Sequence, residues 1–147
     1  MNDKGIKIMQ IAYGSDAYLE SLNLRNEILR KPLGQSLFDE DRSAEAHDFH
    51  VAAYIDGVMT GILLLTPRAP GTVQMRQVAV AREAQGTGLG SQIVRFCEEL
   101  AAREGFTLMM LHARETAVNF YLKNGYRVEG GMFEEVTIPH FKMVKEL

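Results

Sequence analysis

The chain has 147 residues, 46% hydrophobic and 24% charged, with a net charge of −3. That length suits one domain, residues 1–147, with a substantial core, and mild acidity disfavours nucleic acid, whose phosphates attract basic faces. A single cysteine, Cys97, excludes an internal disulfide and a Cys/His zinc cluster, and no run of about 18 apolar residues is present to span a membrane. The opening MNDKGIKIMQ has no apolar signal core, so a cytoplasmic protein is expected.

Ile6, Ile8, Met9 and Ile11 predict a first strand reaching about Tyr13. Ser15 and Asp16 can cap a helix whose apolar positions are Leu19, Leu22, Leu24 and Ile28, and it must end before Pro32. LGQSLFDEDRSAEAHD is polar with scattered apolar residues and reads as a mobile or irregular connection. HVAAYI and VMTGILLLT follow as two strands joined by Asp56-Gly57, a hairpin signal, and Pro70-Gly71 turns the chain into TVQMRQVAV. Leu89, Ile93, Phe96, Cys97, Leu100 and Ala101 then form one apolar helical face, closed by Gly105. TLMMLHA reads as a buried strand, TAVNFYLKN as a short helix ended by Gly125, and the tail as strands around Tyr126–Phe133 and His140–Lys145. Strands in hairpins followed by a βαβ unit predict a mixed sheet with helices on its faces.

The segment QGTGLG, Gln85–Gly90, exposes backbone at the entrance to a helix, the usual arrangement for binding phosphate. A P-loop needs a Lys after its last glycine, and Ser91-Gln92 stands there instead. A dinucleotide fingerprint needs a third glycine where Ser91 sits, and an acidic residue near Leu111 that is absent. A nucleotide-binding regulator is therefore a poor match. A glycine-rich turn that binds nothing stays open at this point.

The whole segment VAVAREAQGTGLGSQIV resembles the pyrophosphate loop of the GCN5-related N-acetyltransferases (GNAT superfamily), which bind acetyl-CoA. Downstream, Ala117, Phe120, Tyr121, Gly125 and Tyr126 match in order the family's A-x-x-F-Y helix ending at Gly-Phe or Gly-Tyr. The tail IPHFKM is similar to the ElaA/YjcF-like branch. Three positions depart from the pattern. Gln85 replaces the commoner Arg, Arg114 stands where many members have Asn, and Thr137 occupies the place of a glycine.

The resemblance implies an α/β (α+β mixed) fold: a mostly antiparallel mixed sheet of about six to seven strands, flanked by helices, with a splayed parallel pair at the acetyl-CoA site. It implies direct transfer of acetyl from acetyl-CoA, a co-substrate, to a primary amine of a small molecule or protein, by a monomer or homodimer and without metal. Carried over by position, Val78, Ala79 and Val80 would hold the pantetheine, with the Val80 N–H at the acetyl oxygen. Gln85, Gly86, Thr87, Gly88, Leu89, Gly90 and Ser91 would hold the pyrophosphate, Phe120 would flank the pantetheine and Lys123 would meet a phosphate. Tyr121 is the candidate general acid and His112 the candidate base, since both types can move protons near neutral pH when positioned. Arg25, His50 and His140 are candidate substrate residues, as are Arg30, the acidic run Asp39, Glu40 and Asp41, and the pair Glu134 and Glu135. The alternative class is a catalytically inactive acetyl-CoA sensor or interaction module, for which the missing Asn leaves room.

Overall fold

The computed structural model describes residues 5–147, so the first four residues of the expected domain lie outside the described residues. Strands β1 (Ile6–Ile11), β2 (Phe49–Ile55), β3 (Val58–Ala69) and β4 (Thr72–Val80) form an antiparallel run. β5 (Leu108–Arg114) joins β4 in parallel, and β8 (Ile138–Glu146) pairs antiparallel with β5. Two short strands, β6 (Arg127–Val128) and β7 (Phe133–Glu135), pair with β8. Among the described residues the sheet therefore has eight strands, slightly more than the six to seven expected. The predicted Tyr126–Phe133 strand is split in two by Gly130 and Gly131, and β1 stops two residues short of Tyr13.

Helix α1 (Asp16–Leu29) covers one face of the sheet, and α2 (Leu89–Arg103) with the short α3 (Val118–Lys123) covers the other. Leu89, Ile93, Cys97 and Leu100 of α2 pack with Val51, Leu63, Met75, Leu111 and Tyr121 into the larger core. The α1 face is smaller: Ala52, Ile62 and Ala79 receive Leu24 and Ile28. Gly105, at φ +92°, closes α2 as the Phe106 N–H returns to the Ala101 carbonyl.

The α1 prediction is right in its cap, where Ser15 Oγ accepts the Tyr18 N–H, but its expected face needs correction. Leu19 is exposed, and the buried residues include Ser21, Arg25 and Asn26. Polar partners explain this. Arg25 donates to both Glu45 oxygens at 2.9 and 2.6 Å, Tyr18 Oη donates to Glu45 at 2.8 Å, and Asn26 Oδ1 accepts the Leu37 N–H at 2.8 Å. The polar connection between α1 and β2 thus forms three short 3₁₀ turns tied to the helix through side chains.

Two irregularities shape the site. In β4, Gln77 and Val78 together oppose Leu63, a bulge in which Gln77 takes φ +56°. The two-residue turn between β7 and β8 places Val136 at φ 47° and Thr137 at φ 61°, a conformation β-branched residues rarely adopt.

Candidate active site

Parallel pairing of β4 and β5 covers only Thr72–Leu108 through Met75–Leu111. Beyond it, the Gln77 bulge turns β4 aside while β5 continues with His112, Ala113 and Arg114, and the strands part. The gap opens into a cavity of about 780 Å³. Its walls include Arg76, Gln77 and Val78 from β4, His112 and Arg114 from β5, and Tyr121 from α3. The end of α1, from Ile28 to Arg30, and the β7–β8 turn close the far side.

Strand geometry aims a backbone donor at the opening. The Ala81 N–H bonds the Thr60 carbonyl at 2.8 Å, so the backbone groups of residue 81 face β3. Alternation turns the Val80 N–H and C=O the other way, toward the side β5 has left. The Val80 carbonyl accepts from Gln85 Nε2 at 2.9 Å, and its N–H lies beyond the end of the β4–β5 ladder.

The Gln85–Ser91 segment leaves a run of backbone amides without backbone acceptors. Gly86 and Gly88 take φ +76° and +89°, and no backbone acceptor bonds the N–H of Gly86, Thr87 or Gly88 among the described residues. The first N–H groups of α2, on Leu89, Gly90 and Ser91, have no intrahelical partner by geometry, and the helix dipole places positive potential there. Leu89 contributes only backbone, since its side chain is buried. Gly90 has a separate reason for being glycine: a Cβ there would lie 3.3 Å from Phe120 Cζ. Phe120 thus packs under the helix start, while Lys123 is exposed one turn further along α3.

Tyr121 is 7% exposed, lines the cavity, and its hydroxyl has no hydrogen-bond partner among the described residues. Burial pushes its phenol up to about 12, so it is protonated at any physiological pH. Tyr126, edge-on to Tyr121 at 5.7 Å, donates to Glu98, and Lys145 bridges Glu98 to the Asn124 carbonyl. That knot fixes the end of α3 and with it the Tyr121 ring.

His112 Nδ1 lies 2.9 Å from Glu135 Oε2 across the β5–β7 gap. A carboxylate on Nδ1 selects the Nδ1–H tautomer, which leaves Nε2 able to accept a proton. Phe133 stands edge-on to His112 and stacks on His140, whose Nδ1 donates to the Ile138 carbonyl. His140 also lines the cavity. Glu135 had no sequence signal beyond being one of two acids in a weak strand; only the fold brings it to His112.

Among the other candidates, Arg30 and Glu40 both line the cavity and hold one another through two contacts, 2.6 and 3.2 Å. Arg25 and His50 sit behind the wall. Arg25 is fully buried in its Glu45 pair, reaching only Gln77 Oε1 at 3.4 Å, and His50 donates from Nε2 to the Glu45 carbonyl at 2.8 Å. Their expected contact with substrate does not fit this burial, because both side chains are committed to the α1 network. Among the described residues, no three His, Cys, Asp or Glu side chains gather to hold a metal, and no helix is long and apolar enough to cross a membrane.

Known proteins give the same arrangement a context. The model of the acetyltransferase (GNAT) family matches residues 16–126. The chain is 27% identical over 137 residues to the uncharacterized N-acetyltransferase YjcF of Bacillus subtilis (strain 168), covering 92% of this chain and 97% of that protein. It superposes on a Lactobacillus plantarum crystal structure described as an N-acetyltransferase with a TM-score of 0.87 and 28% identity, covering 98% and 99% of the two chains. A GNAT family acetyltransferase from Elizabethkingia anophelis, solved with acetyl-CoA bound, shares the fold at a TM-score of 0.75 and 17% identity, covering 98% and 99%.

Proposed function

The chain belongs to the acetyltransferase (GNAT) family, and we propose that it moves the acetyl group of acetyl-CoA directly to a primary amine. The observation that carries this is the parted β4–β5 pair, whose cavity reaches Gln85 at the start of the segment with the unbonded amides of Gly86–Ser91. The residues fit that substrate: amides for the pyrophosphate, an open strand edge for the pantetheine, and Phe120 beneath the junction. A relative in the fold, solved with acetyl-CoA, supports the fit.

In the reaction the amine nitrogen bonds the acetyl carbon as the carbon–sulfur bond breaks. The Val80 N–H donates to the acetyl oxygen as it gains charge, a contribution of roughly 3 kcal/mol for one preorganised donor. His112 Nε2, set by Glu135, takes the proton the amine loses. Tyr121 donates to the departing sulfur. A phenol at about 12 does not release its proton outright to a thiolate whose acid titrates near 8.5. Tyr121 therefore holds the developing charge by hydrogen bond, and the thiol forms when the proton that His112 took from the amine is passed on to the sulfur, which restores His112.

The test is the thermal unfolding midpoint with acetyl-CoA, ATP and NAD in parallel. At about 100 times its Kd, a ligand adds roughly 2.7 kcal/mol to the native state, a shift of several degrees. A rise with acetyl-CoA alone is expected, followed by thiol release in an amine screen. A rise without turnover on any amine would favour the inactive sensor, and no rise would remove the acetyl-CoA site.

A further inference from the structure

We propose that the acceptor amine carries a carboxylate, and that Arg114, with Arg76 across the gap, receives it. This rests on the acetyltransferase reading and names the substrate class for it.

The charges facing the cavity do not cancel. Of the two lining carboxylates, Glu40 is held by the Arg30 guanidinium, and Glu135 is bonded to the His112 ring. Arg114 lines the same cavity with no hydrogen bond or ion pair among the described residues. Arg76 is only loosely tethered, 4.0 Å from Asp48 and 3.4 Å from the Thr66 hydroxyl. Two guanidinium groups thus stand at the mouth of the parted strands, Arg114 without a partner and Arg76 with only distant ones. A guanidinium presents paired donors in a plane, which matches a carboxylate's two oxygens.

The side of the sheet identifies the source of the anion. Met75, Leu111 and Ala113 belong to the core under α2 and α3, the side on which the phosphate-binding amides lie. Strand alternation sends Arg76, His112 and Arg114 to the opposite face, where α1 and the Arg30–Glu40 pair stand. Those cations are therefore placed for the acceptor and not for the CoA phosphates. His112, on the same face between them, would meet the acceptor's amine.

The experiment measures kcat/KM for α-amino acids and ω-amino carboxylates, each against its own carboxamide, in wild type and in Arg114→Gln and Arg114→Lys. Removing a charge-assisted pair predicts a preference of about 10- to 100-fold for the carboxylate in wild type. R114Q collapses that ratio toward one, R114K restores part of it, and the KM for acetyl-CoA does not move. Arg76→Gln gives a second, smaller loss from the other strand. Equal rates for acid and amide in wild type would overturn the proposal, as would turnover confined to carboxylate-free amines or peptide lysines. A KM increase for acetyl-CoA in R114Q, equal for both acceptors, would assign Arg114 to CoA instead. The underlying reading fails differently: then acetyl-CoA gives no thermal shift and no amine is turned over.

Discussion

Tyr121 combines a largely buried ring with a hydroxyl that has no protein partner among the described residues. That oxygen is not sealed off from solvent, and it keeps access to the cavity the ring borders. We expect Tyr121→Phe to lower kcat by about 10- to 100-fold, the loss of one hydrogen bond to a charged group, while the acetyl-CoA thermal shift stays. Unchanged kcat would reduce Tyr121 to a packing residue. The same ring predicts a pH effect on folding. Its folded pKa, about 12, lies above the ordinary 10, so between those values the unfolded chain loses the proton first. Stability from burying the neutral phenol is complete below pH 10 and is lost as pH rises toward 12, in total about 3 kcal/mol. Denaturant midpoints from pH 9 to 12 should therefore fall less steeply in the Phe variant than in wild type.

Among the elements, α1 shows what periodicity misses. Leu19 and Leu22 look equivalent in the sequence, yet one is exposed and the other buried, because the helix turns Ser21, Arg25 and Asn26 inward. Apolar spacing reveals a face only when the face is apolar, as in α2, where Leu89, Ile93, Cys97 and Leu100 were legible at once. Arg25 and Glu45 are 20 residues apart in a segment without pattern, so nothing local announces their pairing. Arg25→Met should lower stability by about 3–5 kcal/mol, because it leaves a buried carboxylate without its cation. Arg127→Met, which breaks the exposed pair with Glu146, should leave the denaturant midpoint where it was. Equal losses would show that burial does not distinguish the two. Burial alone would raise the Glu45 carboxyl, but the Arg25 guanidinium and the Tyr18 hydroxyl hold it below the usual range. The ionised pair therefore stabilises the fold above the ordinary carboxylate pKa, and this is lost as pH falls through the depressed value.

At the scale of the whole molecule, the glycine loop and the A-x-x-F-Y helix were legible because they use residues with few other reasons to recur at that spacing. The bulge that opens the cavity was not. Gln77 carries no turn signal, and its positive φ goes with a bulge packed between β3, β4 and α1, with Arg25 of α1 reaching its Oε1. The Val136-Thr137 turn is equally silent, since the sequence places β-branched residues where glycine or asparagine would announce a hairpin. The bulge lies where the sheet divides. β1 to β4 form one part, and β5 with β8, β6 and β7 the other, joined only by the short parallel ladder from Thr72 to Met75. A ligand lying between β4 and β5 then bridges both parts. It supplies contacts where backbone hydrogen bonds are missing, and local opening is easiest where such bonds are few. Acetyl-CoA should accordingly slow amide exchange in peptides spanning residues 76–92 and 112–124, on either side of the gap. The antiparallel β1–β2 pair, which borders neither, should exchange as before. Protection confined to residues 86–91 would mean the ligand touches the loop without entering the gap, and the roles of Val80, His112 and Tyr121 would then have no substrate to act on.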